Sequence, residues 1–286
     1  MKALIVGDDY LAGRFAYLLK KLTIPAERAA RFSKALLKGK DFVFFSGKNC
    51  LAKDLMESLR SGCSVFSEQL LFEKRTDISL VRFAERNRLR LVIGSFDIFN
   101  PVVKEMKKLI SGERIFEMLF SRVGPRQFGY VRLNIVDDLV IQDIGVMNWI
   151  LDGEPTLLAA YSRDPFNHCL AHIKIGETSV ILYANKDPCY KERTAEIFCE
   201  RTKIRANILN QKLMLMKSEG IIQSLYGTGY EAYKEHIARK TEPLKEAVEQ
   251  FIKGRNNPID YHIIQKNLEV SWEIKKSLAP QLMRTS

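Results

Sequence analysis

The stretch Lys2–Lys20, KALIVGDDYLAGRFAYLLK, decides how the chain begins to fold. Lys2–Val6 is a short apolar run that ends at Gly7, and from Leu11 to Leu22 apolar residues recur at helical spacing until Thr23, Ile24 and Pro25 close the segment. A strand, a glycine turn and a helix form the first unit of a nucleotide-binding α/β domain. In such a unit glycines let the backbone approach a pyrophosphate, and the helix amino-terminus offers it unpaired N–H groups. GDDYLAG meets the fingerprint G-x-G-x-x-G poorly. Gly7 is the first glycine, the second falls at Asp9, whose carboxylate faces any anion at close range, and the third falls at Ala12 or one residue late at Gly13.

Working outward, Ala26–Lys40 is too short for a second strand and a full helix. In NAD enzymes of this type the second strand ends in a carboxylate that holds the adenine ribose. Glu27 is the only acidic residue between Asp9 and Asp41, and Arg28 and Arg31 follow it, either as solvated helical surface or as partners for a 2′-phosphate. From Asp41 the alternation is clear. DFVFFSG, SVFSEQL and RLVIGS read as buried strands, with helices over Leu51–Ser61, Leu80–Arg88 and Val102–Ile110. That order predicts a parallel sheet covered on both faces. Ligands of such sheets gather at the carboxyl ends of the strands, which places Gly7, Gly47, Lys48, Glu68, Gln69 and Ser95 on the rim of a site.

After Gly112 the period changes. IFEMLFS, TLLAAYS, CLAHIKI, SVILYAN, TAEIFCE and IRANILN are strand-like, and Ile175–Thr178 is a hairpin turn. The expected architecture is a shortened Rossmann-like parallel-sheet domain over residues 1–111, followed by an α+β domain over 112–286 with a large open, mainly antiparallel sheet. Helices are expected over Asp138–Leu151, Pro243–Lys253 and Tyr261–Leu278. Asp138 and Gln142 lie four apart on the first of these, so they share a face, either as a polar first turn or as a chemical pair. His168 and His172 share a strand face, but no third ligand accompanies them, and no metal site is expected.

A chain of 286 residues that is 46% hydrophobic can bury cores of this size. No apolar run is long enough to span a bilayer, and MKALIVGDDY is too short and too acidic for a secretory signal, so the expected compartment is the cytoplasm. Five scattered cysteines without a CxxC pair read as reduced. The net charge of +11 favours an anionic partner. It is spread along helices and comes with no helix-turn-helix, RRM or zinc-finger pattern, which leaves a nucleic-acid-binding protein as a remote alternative. No Ser-His-Asp order, HExxH or Walker sequence is present.

Several motifs in order then resemble the Gfo/Idh/MocA family, which includes glucose-fructose oxidoreductase and inositol dehydrogenase. SVFSEQLL looks like its V-x-x-E-K-P-L and FNPVVKEMKKLISGE like its R-F-N-P and following helix. RVGPR and DDLVIQDIGVMNWIL look like its R-x-G-P-R and D-L-x-I-H-D-I-D, and TEPLKEAVEQFIKG like its E-P-L-x-x-E-x-x-x-F. The R-x-G-P-R run is most like enzymes acting on UDP-sugars. The resemblance implies NAD or NADP as cofactor, with Gly7, Asp9, Ala12, Gly13, Gly47 and Glu68 on the cofactor side. It implies a sugar or sugar-nucleotide ligand met by Asn100, Arg122, Arg126 and Asp143, and a dimer or tetramer formed through the open sheet. The family's catalytic Asp is kept as Asp138, its Lys becomes Gln69 and its His becomes Gln142. Glutamine donates hydrogen bonds but takes no proton near neutral pH. Lys74 is a candidate substitute cation. Two expectations follow from the departures: an oxidoreductase whose hydride transfer is weak or altered, or an inactive relative that binds a sugar nucleotide or serves as a partner subunit.

Overall fold

The structure, a computed structural model, describes residues 1–46, 50–68, 75–125, 133–187, 189–217, 222–224, 227–229, 233–237, 240–254 and 256–282. Gly47, Lys48, Gln69, Lys74 and Arg126 lie outside the described residues.

The first sheet holds β1 (Ala3–Val6), β2 (Ala26–Ala29), β3 (Phe42–Phe45), β4 (Ser64–Ser67) and β5 (Leu91–Ile93), all parallel, in the order β2-β1-β3-β4-β5. Strands β1, β3, β4 and β5 are buried at every position, as expected of apolar strands covered on both faces. Strand β2, AERA, is largely exposed and charged, which suits an edge. Helices α1 (Tyr10–Lys21), α2 (Ala52–Arg60), α3 (Ser79–Arg86) and α4 (Pro101–Leu109) connect or follow the strands. Between β2 and β3 only a 3₁₀ turn, Lys34–Leu37, fits, in keeping with the shortness of Ala26–Lys40. Arg28 stands on β2 itself, so its expected placement on a helix is corrected: fifteen residues accommodate a strand and one turn only.

The second sheet has eight described strands in the order β15-β12-β11-β10-β6-β9-β8-β7. They are β6 (Ile115–Gly124), β7 (Pro155–Tyr161), β8 (His168–Ile175), β9 (Thr178–Lys186), β10 (Glu192–Cys199), β11 (Thr202–Asn207), β12 (Lys212–Lys217) and β15 (Tyr233–Ile237). A separate ribbon pairs β13 (Ile222–Ser224) with β14 (Gly227–Gly229). The pairing is antiparallel except between β6 and β9. Met118, Phe120, Ile173, Val180, Leu182, Ala195, Ile197 and Ile204 form its buried face. Covering that face are α5 (Ile141–Ile150), entered through a widened π turn over Val136–Val140, and α7 (Tyr261–Leu282).

Helix α6 (Pro243–Lys253) returns to the first sheet. Phe251 packs against Phe42, Phe44 and Phe66 with ring centroids 5.7, 5.6 and 5.3 Å away, and Phe15 of α1 meets Phe44 and Phe66 at 5.2 and 5.5 Å. The edge of β5 is then sealed: the Asn257 side chain accepts from Leu91 N and donates to Leu91 O, both at 2.8 Å, as a neighbouring strand would. Arg90 donates to the carbonyls of Ile252 and Gly254, and the Tyr261 hydroxyl donates to Leu89 O. The aromatic cluster therefore ties the end of the chain to its beginning. Phe251→Ala opens a cavity against three rings and is expected to cost about 3–5 kcal/mol in urea unfolding, with loss of cooperativity in both sheets together.

Candidate functional site

A cleft of about 1340 Å³ runs from the Gly7 loop, past the carboxyl ends of β3 and β4, to the end of β6 and the start of α5. Gly7, Asp9, Glu68, Asn100, Arg122, Asp138 and Gln142 all line it, whereas Ala12, Gly13 and Asp143 are absent from its described lining.

At its first-sheet end Gly7 adopts φ +132°, and a Cβ there would stand 2.1 Å from Ser46 Oγ, so only glycine fits where β1 meets the end of β3. Asp9 is the N-cap of α1: its Oδ1 accepts from Ala12 N at 2.9 Å. A carboxylate of the chain thus stands at the helix terminus where a pyrophosphate would bind. Ala12 is buried against the sheet and fills the packing role of the third glycine, while Gly13 faces open space. Arg28 Nε donates to Gly7 O at 3.1 Å, bracing the loop, and Glu27 pairs with Lys40 at the edge, so neither faces the cleft. Arg31 does line it, as do Asp8, Lys53 and Asp54.

At the other end the sequence places its charges in pairs. Arg122, 1% exposed, grips Asp143 with Nε to Oδ2 at 2.9 Å and Nη2 to Oδ1 at 2.5 Å, and also reaches Asp97 Oδ2 at 2.5 Å. Burial opposes the guanidinium's charge, but Asp143 and Asp97 outweigh it and hold its pKa up. For Asp97 burial pushes the carboxyl up, and Arg122 and Arg193 more than reverse this, leaving it below its ordinary range. Asn100 is also engaged internally, accepting from Val102 N to cap α4 and donating to Ile208 O. Three of the four residues expected to meet a ligand thus use these polar groups in holding the fold.

Helix α5 carries the central pair. Asp138 and Gln142 both face the cleft across the junction of the π turn and the α-helix, and such widened turns recur at functional sites. Asp137 points the other way, to Lys275 of α7 at 2.8 Å, and burial raises its pKa against that lysine's pull. Asp138 Oδ2 lies 2.8 Å from Lys186 Nζ at the end of β9, both side chains being 10% exposed. Gln142 Oε1 accepts from Phe96 N at 3.2 Å, so its amide NH₂ is directed away from that contact. Behind this lies a close approach of the two halves. Gly94 and Ser95 both take φ +58°, and a Cβ on Gly145 would come within 2.1 Å of Ser95 Oγ.

Asp97, Lys191 and Arg193 line the site and periodicity does not reveal them, and Lys186, outside the described lining, reaches it through Asp138. The alternation K-x-R at 191 and 193, just before and at the start of β10, is the one available signal. His168 and His172 lie on β8, His168 between Tyr161 and Tyr183 and His172 against Ser179 Oγ at 2.8 Å. Among the described residues no group of three His, Cys, Asp or Glu side chains is placed to hold a metal. Arg122→Met leaves Asp97 and Asp143 buried without their main cation. It is expected to cost about 3–5 kcal/mol at pH 7 by urea unfolding. The deficit narrows as pH falls below about 5, because the variant's folded state takes up protons on these carboxyls while the parent loses the contribution of its low-pKa Asp97.

No family model and no curated protein matches the sequence. Solved structures do. UDP-N-acetylglucosamine 3-dehydrogenase GnnA from Acidithiobacillus ferrooxidans aligns with a TM-score of 0.78 at 16% identity, over 97% of each chain. An NAD binding oxidoreductase from Klebsiella pneumoniae aligns at 0.76 and 11% identity, over 98% of this chain and 97% of that one. KijD10, a 3-ketoreductase from Actinomadura kijaniata in complex with TDP-benzene and NADP, aligns in its open conformation at 0.75 and 11% identity over 97% of each. At these identities the likeness is one of fold: a Rossmann-like parallel sheet joined to a mostly antiparallel one, the architecture of the Gfo/Idh/MocA-type dehydrogenases.

Proposed function

We propose that the protein binds a sugar or sugar nucleotide in the cleft between its two sheets, on the scaffold of an NAD(P)-linked oxidoreductase, with hydride transfer weakened or absent. The observation that carries this reading is Asp9 capping α1. A dinucleotide pyrophosphate seated on that terminus gains about 0.3–1 kcal/mol from the helix dipole. Against it stands a carboxylate at contact range, where like charges about 4 Å apart repel by about 4 kcal/mol in a surface-like dielectric. Repulsion wins: Asp8 and Asp54 on the same stretch of wall add to it, and Arg31 and Lys53 offset only part of it. Strand β2 ends at Ala29 with Ala30 next, where a ribose-holding carboxylate is needed. The residues present do not fit an ordinary dinucleotide.

A second reading, altered but real oxidoreductase activity, is favoured by the Asp138–Lys186 pair. A carboxylate and an ammonium side by side are the groups needed to take a hydroxyl proton and hold the resulting charge. Lys186, not a residue near Gln69, is then the substitute for the family's lysine.

Titrating the protein with NADH and NADPH by fluorescence and calorimetry separates the readings. The expected outcome is no saturation into the millimolar range for the parent and at least tenfold tighter binding for Asp9→Gly, a change that costs the cap only a few tenths of a kcal/mol. Saturable micromolar binding by the unaltered protein, with sugar-nucleotide turnover, overturns the proposal. Turnover confined to the Gln69→Lys, Gln142→His double variant supports it.

We also infer a homodimer or homotetramer through the outer face of the second sheet. Leu119, Ile181, Tyr183 and Phe198 are only half-buried there, and Leu170 and Met214 are exposed. No described element covers them. Apolar side chains gathered on one uncovered sheet face mark a protein–protein surface. Ile181, between Leu119 and His172 in register, is near its centre. Ile181→Lys is expected to shift the mass measured by light scattering to that of one chain, and an unchanged assembly counts against this face.

A further inference from the structure

The geometry points to a phosphate-binding subsite on the second-sheet wall of the cleft, formed by Lys191 and Arg193. This deepens the reading of a sugar-nucleotide ligand by naming the residues that meet its diphosphate.

Arg193 sits directly opposite Arg122 in the β6–β10 register, an arrangement of like charges that a sheet tolerates only with compensation. The compensation goes to Arg122. Asp143 grips it through two bonds and Asp97 through a third. Arg193 keeps one long bond, Nη1 to the other oxygen of Asp97 at 3.4 Å, and Glu68 faces it from β4's end across the cleft. Lys191, exposed and two residues earlier, shares its side of the strand and is faced by Arg193, Arg122 and Asp97. Around Asp97 and Asp143 there are thus three cations and two carboxylates, with Glu68 acting on Arg193 from the far wall.

Burial and the neighbouring cations hold the pKa of both Lys191 and Arg193 below their ordinary values, so an added anion relieves both groups. A forked guanidinium beside an exposed ammonium suits the tetrahedral, anionic oxygens of a diphosphate. The opposite end of the cleft carries Asp8, Asp9 and Asp54 against Arg31 and Lys53, three carboxylates to two cations, so a phosphate-bearing ligand is drawn to this wall. Its sugar then lies in the same cleft as Asp138 and Gln142.

Calorimetry of the full chain with pyrophosphate, UDP, uridine and UDP-N-acetylglucosamine tests the subsite. Pyrophosphate and UDP are expected to bind at least tenfold more tightly than uridine, with affinity falling as salt rises. Lys191→Gln and Arg193→Gln are each expected to weaken both by tenfold or more. Lys191 is exposed and outside the strands, so its variant folds whatever Arg193 contributes to the sheet. Binding of UDP-N-acetylglucosamine that is equal in parent and variants overturns the subsite and leaves the sugar-nucleotide reading standing. Binding of pyrophosphate that the variants lose, without any binding of UDP-N-acetylglucosamine, establishes the subsite and counts against that reading. Failure of both pyrophosphate and UDP to bind overturns the subsite.

Discussion

The Arg122 guanidinium, buried with two carboxylates, is the contact on which the relation of the two sheets rests. It projects from β6 of the second sheet, Asp97 stands in the turn Phe96–Phe99 that follows β5 of the first, and Asp143 stands on α5. Taking such ions out of water costs several kcal/mol each, and only near-ideal, multiply hydrogen-bonded geometry offsets this. The bidentate bond to Asp143 and the third bond to Asp97 meet that condition. Any displacement of α5 against either sheet would leave a buried charge unmatched. The cleft therefore has a defined width between walls that come from different stretches of the chain.

That rigidity gives meaning to how the cleft's charges are distributed. Its first-sheet end presents Asp8, Asp9 and Asp54 against Arg31 and Lys53, and its second-sheet wall presents Lys191 and Arg193. On the reading proposed above, a dinucleotide's phosphates meet the first of these places and a sugar nucleotide's diphosphate meets the second. The asymmetry favours the latter. It does so through residues whose other neighbours are fixed, because Asp97 cannot turn toward Arg193 without releasing Arg122.

Much of this architecture was legible as pattern. The uninterrupted apolar runs ALIV, FVFF and LVI are strands because both their faces are covered, and the shortness of Ala26–Lys40 foretold the missing helix after β2. The residue at the second glycine position was readable too, since Asp9 is both a strong N-cap and an anion where an anion should bind. Other features had no local signature. Strand β12, KLMLMK, is set by pairing with β11 and β15 by pairing with β12, not by their own periodicity. Phe251 looks like an ordinary apolar position of α6, and only the fold brings it to the face of Phe44 and Phe66. Arg122, Asn100 and Asp143 have the residue types of ligand contacts, yet their partners lie 21 to 108 positions away within the chain. Charge pairing across such distances leaves no periodic trace, which is why Lys186 and Arg193 emerged only with the structure.

The same consideration sharpens the role of α5. Its widened first turn lets adjacent carboxylates diverge, Asp137 to Lys275 in the helix layer and Asp138 to Lys186 beside the cleft. An ordinary α-helical turn already separates neighbours by about 100°, and the extra residue in the π turn rotates the register between the pair and the rest of α5. Gln142 is then aligned with Asp138 along the cleft, its carbonyl held by Phe96 N. A histidine at that position would exchange protons with a bound hydroxyl, whereas an amide fixed in this way can only donate to it. With Asp138 held beside an ammonium, the face of α5 presents a carboxylate and an amide to the cleft, and on the reading proposed above these recognise a hydroxyl by hydrogen bonds, with any proton transfer running through Asp138.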